Sequence, residues 1–397
     1  MSTTHKIKGG VCAPLGFAVS ATYAGIKPGN LDRDDVALIA ATGPAISAAT
    51  FTTNKVKAAP VLVSMEHARS RTTRAVILNS GNANACTGSQ GIADSRATAD
   101  AVGRALGVSG REILVCSTGR IGVPMPIKKL IDVVPALVSS LHPKNGRAAA
   151  LAIMTSDSVP KEIALDVTTD AGSFRVGGIA KGAGMIDPNM ATMLSVVTTD
   201  LAVSKADLKK CLKIAVAQSF NRITVDGDMS TNDTVILLSS GASNAAVDLD
   251  AFQEALNVVT LDLATKIVLD GEGVSRFIEV IVRGAKSLRD ARMAAEAVAK
   301  SQLVKCAWAG GDPNWGRILD AVGYSGAAMD PDRADIDYDN IAAVRFGMAA
   351  ATPVAKLQKV AAKKRFTVVI DLHLGNSGYS VLTTDLTEDY VKFNLGE

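Results

Sequence analysis

Thr192 is the residue whose type and neighbours best suit it to act as a nucleophile. It follows two glycines and a proline and precedes a β-branched run, in the segment KGAGMIDPNMATMLSVVTT. A threonine hydroxyl can attack the preceding carbonyl carbon only where the backbone is held in an unusual conformation, which Gly182, Gly184 and Pro188 permit or impose. These residues favour self-cleavage of the bond between Ala191 and Thr192, but they also suit a glycine loop that enters a buried strand.

Cleavage at this bond would place a free α-amino group on Thr192. The pKa of an α-amino group is about 7.7–8.0 and that of a lysine amine about 10.4, so at about pH 7.5 roughly a quarter to two-fifths of the α-amino group is the free base. A threonine that is activated by its own amine is a known arrangement for acyl transfer. Nucleophile and base would then lie on one residue.

The rest of the chain contains little competing catalytic machinery. The four histidines show no paired spacing, and the five cysteines are odd in number and lack a CxxC pair, which argues against a zinc site and a disulfide framework. The glycine-rich stretch 177–184 places lysine before glycine without a following hydroxyl, so it does not match a phosphate loop. The acidic stretch 226–234 lacks the glutamate of a calcium loop. We therefore expect no metal and no organic cofactor.

A second cluster of interest is the glycine turn at residues 116–122. It follows a predicted strand, and such a turn exposes backbone N–H groups beside the hydroxyl of Thr118. Donors of this kind suit an oxyanion hole, in which one donor typically lowers the barrier by about 3 kcal/mol. An ordinary turn fits the same residues.

A third candidate is Glu272, which lies between Gly271 and Gly273 just after a predicted helix. Flanking glycines can present one carboxylate to the ammonium of a substrate, but a solvated loop at a helix end has the same composition. The polar loops at residues 80–88 and 310–317 are likewise open to a structural or a site-forming interpretation.

The elements that must position these residues are predicted from periodicity. Strands are predicted at residues 36–41, 46–52, 112–117 and 192–199, and a helix at 249–269 with apolar residues at i, i+4 and i+7. Many consecutive strands separated by turns favour an α+β fold in layers over strict alternation of strands and helices. The 397 residues suffice for two domains or one large layered unit, and with 48% hydrophobic but only 4% aromatic residues the core must consist of Ala, Val, Ile and Leu.

Charge and hydropathy exclude several classes of protein. The formal net charge of +3, without a basic run interleaved with aromatic residues, gives no support for a nucleic-acid partner. No apolar span reaches 18 residues and the amino-terminal residues lack the apolar region of a signal peptide. We expect a cytoplasmic protein without a membrane partner.

The ordered set of these motifs resembles the ornithine acetyltransferases, or glutamate N-acetyltransferases, of the cyclic arginine pathway. The resemblance covers essentially the full length of the chain, and several motifs in the same order are more specific than any one of them. The matching segments are residues 80–88, 116–122, 181–194, 220–234, 270–273, 310–317 and 384–394.

The resemblance implies a fold and an activity. The fold would be a layered α/β/β/α sandwich of the ornithine acetyltransferase and DmpA-like type, similar in geometry to N-terminal-nucleophile hydrolases. The precursor would cut itself into an α chain, residues 1–191, and a β chain, residues 192–397, which stay together as an α2β2 heterotetramer. The enzyme would transfer acetyl from N2-acetylornithine to glutamate in a ping-pong cycle through Thr192. Whether acetyl-CoA is also a donor stays open; its use would make the enzyme bifunctional.

The resemblance also carries roles over to single residues. The α chain would hold the oxyanion hole, formed by Thr118 and Gly119, and the β chain would begin with the nucleophile. A lysine offers a point charge for a carboxylate, and a glutamate suits the ammonium of ornithine. The residues implied to contact substrate are Thr155, Lys181, Thr192, Glu272 and Asn394.

One departure from the family concerns the carboxyl terminus. Family members usually continue a few residues past the asparagine and end with a tyrosine and threonines, and that terminal threonine contributes to substrate binding. This sequence stops three residues after Asn394. Either the sequence is cut short or the carboxyl-terminal part of the substrate site differs.

Two other functions compete with this one. An autocleaving aminopeptidase or amidohydrolase with an N-terminal nucleophile would use the same threonine with water as the acceptor. A binding protein that never cleaves would remain one chain of 41.0 kDa.

Overall fold

The computed structural model describes residues 2–27, 29, 33–187 and 193–395. The described residues form two compact units, one within the ranges 2–182, 193–221 and 229–267, the other within 183–187, 222–228 and 268–395. These units are not the two chains predicted from cleavage, because each unit draws on both sides of position 191. The division into chains 1–191 and 192–397 stays a prediction.

The first unit is built on a sheet whose strands run in the order β1-β6-β7-β8-β9-β3-β4-β5, with β2 paired to β3. The pairs β8–β9 and β4–β5 are parallel and the others antiparallel. The strands are β1 (Thr3–Ile7), β2 (Phe17–Thr22), β3 (Val36–Phe51), β4 (Thr73–Asn79), β5 (Ile113–Ser117), β6 (Lys161–Thr169), β7 (Gly172–Lys181), β8 (Leu194–Thr199) and β9 (Thr234–Ser239).

The long strand β3 connects the two halves of this sheet. The predicted strands 36–41 and 46–52 are parts of this one strand, whose first part pairs with β2 and whose second part pairs with β9. The register against β4 shifts between Ala40 and Ala45, a stretch that contains Pro44. A proline cannot donate to the ladder, so the strand changes partners there. Periodicity alone could not distinguish one bent strand from two.

Helices pack against this sheet through apolar faces. In helix 249–269, the predicted apolar stripe is fully buried from Phe252 to Ile267. A Cβ on Gly178 of β7 would lie 3.0 Å from Leu263 and 3.1 Å from Val259, so the glycine allows close approach of the helix. The helices are α1 (Ala59–His67), α2 (Gly88–Leu106), α3 (Ile127–Asp132), α4 (Val134–Ser139), α5 (Gly146–Ala152), α6 (Lys205–Gln218) and α7 (Leu249–Leu269), with short 3₁₀ turns at Gly10–Cys12, Gly110–Glu112 and Phe220–Arg222.

The second unit contains a sheet with the strand order β13-β12-β11-β14-β10-β15, in which only β10 and β14 run parallel among the described strands. Its core holds an aromatic cluster in which Phe366 contacts Trp308 edge-on and stacks on Tyr338, at centroid distances of 6.2 and 5.8 Å. Its elements are β10 (Phe277–Ala285), α8 (Leu288–Lys300), α9 (Gln302–Ala309), α10 (Trp315–Tyr324), β11 (Asp335–Tyr338), β12 (Ile341–Arg345), β13 (Met348–Ala349), α11 (Val354–Ala361), β14 (Arg365–Asp371), β15 (Ser377–Thr384) and α12 (Glu388–Phe393).

The predicted α+β class, with sheets and helices in layers, is confirmed. The buried core of both units consists mainly of Ala, Val, Ile and Leu, as the composition predicts. The strand predicted at 112–117 begins at Ile113, because residue 112 closes a 3₁₀ turn. Within the described ranges, none of the helices combines the length and the apolarity needed to cross a membrane.

Candidate functional site

The proposed nucleophile Thr192 and its neighbour Ala191 lie outside the described residues. The chain is described up to Asp187 and again from Met193. The site is therefore built from the residues that hold these two ends.

The chain that follows Thr192 enters the middle of the first unit's sheet. The N–H of Met193 donates to Oδ1 of Asp233 at 2.9 Å, and its carbonyl accepts from the N–H of Thr234 at 3.1 Å. Leu194 then pairs with Lys181 of β7 on one side and with Thr234 of β9 on the other. The position next to Thr192 is thus fixed by backbone hydrogen bonds and by one buried carboxylate.

The residue beside this carboxylate connects it to the end of β5. The amide of Asn232 donates to the carbonyl of Ser117 at 2.8 Å and to that of Ala83 at 2.7 Å. Thr118 follows Ser117 directly. Asp233 and Asn232 are consecutive, so the chain that leads away from Thr192 and the predicted oxyanion turn are held by two adjacent side chains.

The geometry of the turn at Thr118 and Gly119 requires a glycine. Gly119 has a φ of 133°, and a Cβ there would lie 2.3 Å from the carbonyl carbon of Gly81. The N–H of Thr118 donates to the carbonyl of Asn79 at 3.0 Å, and the threonine side chain is buried. Any larger residue at 119 would both strain the backbone and collide with the neighbouring chain.

The loop at residues 80–88 supports this turn by hydrogen bonds. The side chain of Asn79 donates to the carbonyl of Asn82, and the Asn82 side chain accepts from the N–H of Asn84 at 2.7 Å and donates to the carbonyl of Val123. All three asparagines are buried. The structural interpretation of this loop therefore accounts for its composition.

Thr155 and Lys181 are brought together by a residue that sequence reasoning missed. The carboxylate of Asp157 accepts from the N–H of Thr155 at 3.0 Å and from the N–H of Gly182 at 2.7 Å. It also accepts from Nζ of Lys161 at 2.6 Å and lies 3.8 Å from Nζ of Lys181. The side chains of Asp157 and Lys161 are 1% and 0% exposed. The only signal in the sequence is an aspartate and a lysine four residues apart in a polar loop.

The electrostatics of this cluster favour the ionised form of Asp157. Burial by itself would raise the pKa of Asp157, but the ammonium groups of Lys181 and Lys161, with the hydrogen bond from Gly182, outweigh it and hold the pKa well below its usual range. Two ammonium groups therefore face this one buried carboxylate.

Lys27 connects Thr155 to the oxyanion turn. Its Nζ donates to the carbonyl of Thr155 at 3.2 Å, while a Cβ on Gly81 would lie only 2.6 Å from its Cα. Gly81 in turn packs against Gly119. One region of the first unit therefore contains Thr118, Gly119, Thr155 and Lys181. Their predicted roles, an oxyanion hole for the first two and substrate contacts for the last two, stay predictions.

Glu272 and Asn394 form a second group, in the second unit. The side-chain amide of Asn394 donates to Oε2 of Glu272 at 3.1 Å and to the carbonyl of Tyr390 at 3.0 Å. A Cβ on Gly184 would lie 2.3 Å from the Glu272 carboxylate, and the N–H of Glu272 donates to the carbonyl of Ala183 at 3.0 Å. The absence of a side chain at Gly184 thus leaves room for this carboxylate.

The acidic stretch 226–234 contains two aspartates that hold the backbone of other segments. Its last aspartate, Asp233, holds Met193 as described, whereas Asp226 accepts from the N–H groups of Met185 and Ile186. Burial raises the pKa of Asp226 to about 6. In the structure, this stretch holds the chain before and after residues 188–192.

The loop at 310–317 has a structural role. Asn314 is the N-cap of α10, where its Oδ1 accepts from the N–H of Arg317 at 3.3 Å. Across the described ranges, no three His, Cys, Asp or Glu side chains are grouped so that they could hold a metal ion. The described part of the site thus consists of hydroxyl, amide, carboxylate and ammonium groups.

Comparison with known proteins places the chain in a family. The chain belongs to the ArgJ family, whose model matches residues 18–396. It is 50% identical over 387 residues to the arginine biosynthesis bifunctional protein ArgJ of Geobacter sulfurreducens, covering 96% of this chain and 98% of that protein. It is 44% identical over 394 residues to the protein of the same name from Symbiobacterium thermophilum, covering 98% of both. The predicted family is confirmed.

Solved structures include relatives of the same kind. An ornithine acetyltransferase complexed with ornithine from Mycobacterium tuberculosis is 44% identical and covers 47% of this chain and 98% of its own, with a TM-score of 0.43. An arginine biosynthesis bifunctional protein from Bacillus halodurans is 37% identical and covers 52% of this chain and 100% of its own, with a TM-score of 0.49.

Proposed function

We propose that this protein is a self-cleaving acetyltransferase that moves acetyl from N2-acetylornithine to glutamate. The observation that carries the proposal is the arrangement around position 192. The residue after Thr192 is hydrogen-bonded to Asp233, and the adjacent Asn232 holds the strand end that precedes Thr118. A nucleophile at 192 would thus adjoin a turn suited to stabilise an oxyanion. The names of the curated relatives, which are bifunctional proteins of arginine biosynthesis, support the same assignment.

Self-cleavage would proceed in two steps. The Oγ of Thr192 attacks the carbonyl carbon of Ala191, the peptide C–N bond breaks, and the hydroxyl proton ends on the Thr192 nitrogen, which leaves an ester. Water then hydrolyses the ester, so that Ala191 gains a carboxylate and Thr192 regains its hydroxyl and bears a free amine. That amine is the general base for every later turnover.

Acetyl transfer would follow a ping-pong course. The Thr192 amine takes the hydroxyl proton while Oγ attacks the acetyl carbonyl of N2-acetylornithine, and the proton passes to the departing α-nitrogen, which releases ornithine. The α-amine of glutamate then attacks the acetyl ester, N-acetylglutamate forms, and the Thr192 hydroxyl regains a proton. The amine of glutamate must outcompete water, so the acetyl-enzyme has to be shielded from solvent.

The other residues would bind and stabilise charge. The N–H of Thr118 is occupied by Asn79, so the hydroxyl of Thr118 and the N–H of Gly119 are the donors that we assign to the oxyanion. Thr155 and Lys181, which Asp157 holds together, would receive the substrate carboxylate, for which the lysine ammonium offers a point charge. Glu272, supported by Asn394, would receive the side-chain ammonium of ornithine, which is a favourable opposite charge.

Several further points belong to the same proposal. We propose that no metal or organic cofactor takes part, because nucleophile and base both come from Thr192. The names of the relatives, which call them bifunctional, support acetyl-CoA as a second acetyl donor. An α2β2 assembly of the cleaved chains and a cytoplasmic location stay predictions from the sequence.

The decisive experiment replaces the nucleophile. Thr192→Ala should remain one chain of 41.0 kDa by intact mass and release no ornithine, whereas Thr192→Ser should still split because it keeps a hydroxyl. Splitting or transfer by Thr192→Ala would refute the mechanism. For the wild-type protein, ornithine release that depends on glutamate supports the transferase, and equal release of free acetate without glutamate would favour the rival hydrolase.

A further inference from the structure

The chain upstream of the proposed cleavage bond is held by the carboxylate of Asp226. Its Oδ2 accepts from the N–H of Met185 at 2.5 Å, and its Oδ1 accepts from the next N–H, that of Ile186, at 2.8 Å. Each of the two consecutive donors therefore has its own carboxylate oxygen. This contact lies five residues before Ala191, counted from Ile186.

The backbone that Asp226 holds is unusual. Met185 has a φ of 57°, which lies in the left-handed region that residues with a side chain rarely adopt. Such a conformation persists where the surrounding structure imposes it. Two adjacent N–H groups directed at one carboxylate impose this turn at Met185.

The neighbouring residues are held as well, all within the second unit. Ile186 is fully buried. Three further contacts bind the segment 183–187: the N–H of Glu272 to the carbonyl of Ala183 at 3.0 Å, the N–H of Val225 to the carbonyl of Ile186 at 2.8 Å, and Nζ of Lys300 to Oδ1 of Asp187 at 2.6 Å. The segment thus has a defined path, and the turn at Met185 is its one strained point among these described residues.

We propose that Asp226 is a positioning residue for self-cleavage, which fixes the left-handed turn at Met185 and so directs the chain toward Ala191. The inference rests on the proposed self-cleavage. Asp226 exchanges no proton or bond with the reacting atoms. It acts through the backbone, because attack by a threonine hydroxyl needs the preceding carbonyl in one orientation, and a misdirected chain loses rate steeply.

Substitution of Asp226 tests the role of its two oxygens. The asparagine in Asp226→Asn keeps the shape but offers only one acceptor oxygen, so this variant should slow the appearance of the cleaved chain by about 10-fold and Asp226→Ala by about 100-fold, the range expected for loss of one or both charge-assisted hydrogen bonds. The measurement is intact mass over time after synthesis of the full chain in a cell-free system.

Relief of the turn itself distinguishes positioning from a general loss of structure. Glycine adopts the left-handed conformation freely, so the double variant Asp226→Asn, Met185→Gly should regain roughly 10-fold over Asp226→Asn. The matched control is Asp228→Asn, which makes the same charge change two residues away on an exposed side chain and should cleave within about 2-fold of wild type. Circular dichroism of each purified variant shows that it is folded.

The outcomes separate this inference from the proposed function. A wild-type chain that never splits overturns the self-cleavage on which the inference rests. If the wild-type chain is cleaved and Asp226→Ala is cleaved at the same rate, only the role of Asp226 is overturned. Slow cleavage of Asp226→Asn without recovery by Met185→Gly also overturns it, because the carboxylate would then act by some other route than the turn.

Discussion

Replacing Asp157 by asparagine is the sharpest test of how the buried charge cluster stabilises the first unit. The carboxylate accepts three hydrogen bonds, from Lys161, Thr155 and Gly182, at distances of 2.6, 3.0 and 2.7 Å. Removal of one partner of a buried ion pair leaves the other charge uncompensated and costs about 3–5 kcal/mol. We expect Asp157→Asn to lower the free energy of unfolding by that amount, since Lys161 is fully buried.

A double-mutant cycle shows whether the decrease in the free energy of unfolding comes from the buried ammonium of Lys161. The variant Asp157→Asn, Lys161→Met removes the Lys161 ammonium together with the carboxylate that it contacts, so the double variant should be more stable than Asp157→Asn alone. The coupling energy should lie in the range of about 0.5–3 kcal/mol that contacting residues show. Additive effects of the two single substitutions would refute the ion-pair argument.

The chain offers a matched control for this experiment. Lys128 and Asp132 form an ion pair with the same four-residue spacing at 2.8 Å, but their side chains are 86% and 58% exposed. Exposed pairs contribute about 0–1 kcal/mol, so Asp132→Asn should change stability little. A loss for Asp157→Asn no larger than that for Asp132→Asn would contradict our reasoning.

The assay must report on the first unit. Both tryptophans, Trp308 and Trp315, lie in the second unit, so urea unfolding should be followed by far-ultraviolet circular dichroism or by hydrogen exchange in β6 and β7. All variants need one protein concentration, because chains that separate on unfolding make the midpoint depend on concentration. The pKa of Asp157 is lowered in the folded state, so its contribution is present above the ordinary carboxyl pKa of about 3.9 and is lost only as pH falls below it.

Three further predictions concern single residues. Thr118→Ala removes one proposed oxyanion donor and should lower kcat by about 10²- to 10³-fold with little change in KM, as steady-state ornithine release would measure. A rise in KM with kcat unchanged would assign Thr118 to ground-state binding instead. Glu272→Gln keeps an acceptor for Asn394 but removes the negative charge, so KM for N2-acetylornithine should rise by about 10-fold or more. KM for glutamate should stay unchanged, because glutamate lacks the side-chain ammonium. Parallel changes in both constants would contradict the role of Glu272 as the partner of that ammonium. Burial lowers the pKa of Lys305 to about 7, so between about pH 7 and 10 the unfolded state binds one proton more than the folded state. The free energy of unfolding of the wild type should therefore rise with pH in this range relative to that of Lys305→Met, as tryptophan fluorescence of the second unit would measure. Identical pH dependence of the two proteins would refute the lowered pKa.

The parts of the fold that local pattern predicts are those with a strong period. The buried stripe of α7 from Phe252 to Ile267 follows from apolar residues at helical spacing, and a helix face of that kind must be buried wherever it packs. The continuity of β3 through a change of partner does not follow from a local pattern of residues. Its two halves have equally good strand patterns, and only the choice of partner, β2 or β9, makes them one strand with a change of register.

The candidate site shows the same division. Residue types and order indicated a threonine nucleophile, a glycine turn for an oxyanion and single charged residues for the substrate. They did not indicate Asp157, because its importance lies in contacts to Gly182 and Lys181, about 25 residues along the chain. Residue types and order also did not show that two aspartates of one acidic stretch hold different segments. Asp226 holds Met185, and Asp233 holds Met193.

The sequence by itself indicated the chemistry that we propose, because the threonine after a glycine-rich segment, the lack of paired histidines and the order of the motifs are properties of the chain. Only the tertiary structure decided how that chemistry is supported. Asn232 reaches Ser117 across 115 positions, and Asp157 gathers two lysines at a buried site. Contacts of this kind depend on which strands pair and which loops pack together, and they arise when the whole core forms rather than from any local stretch of residues.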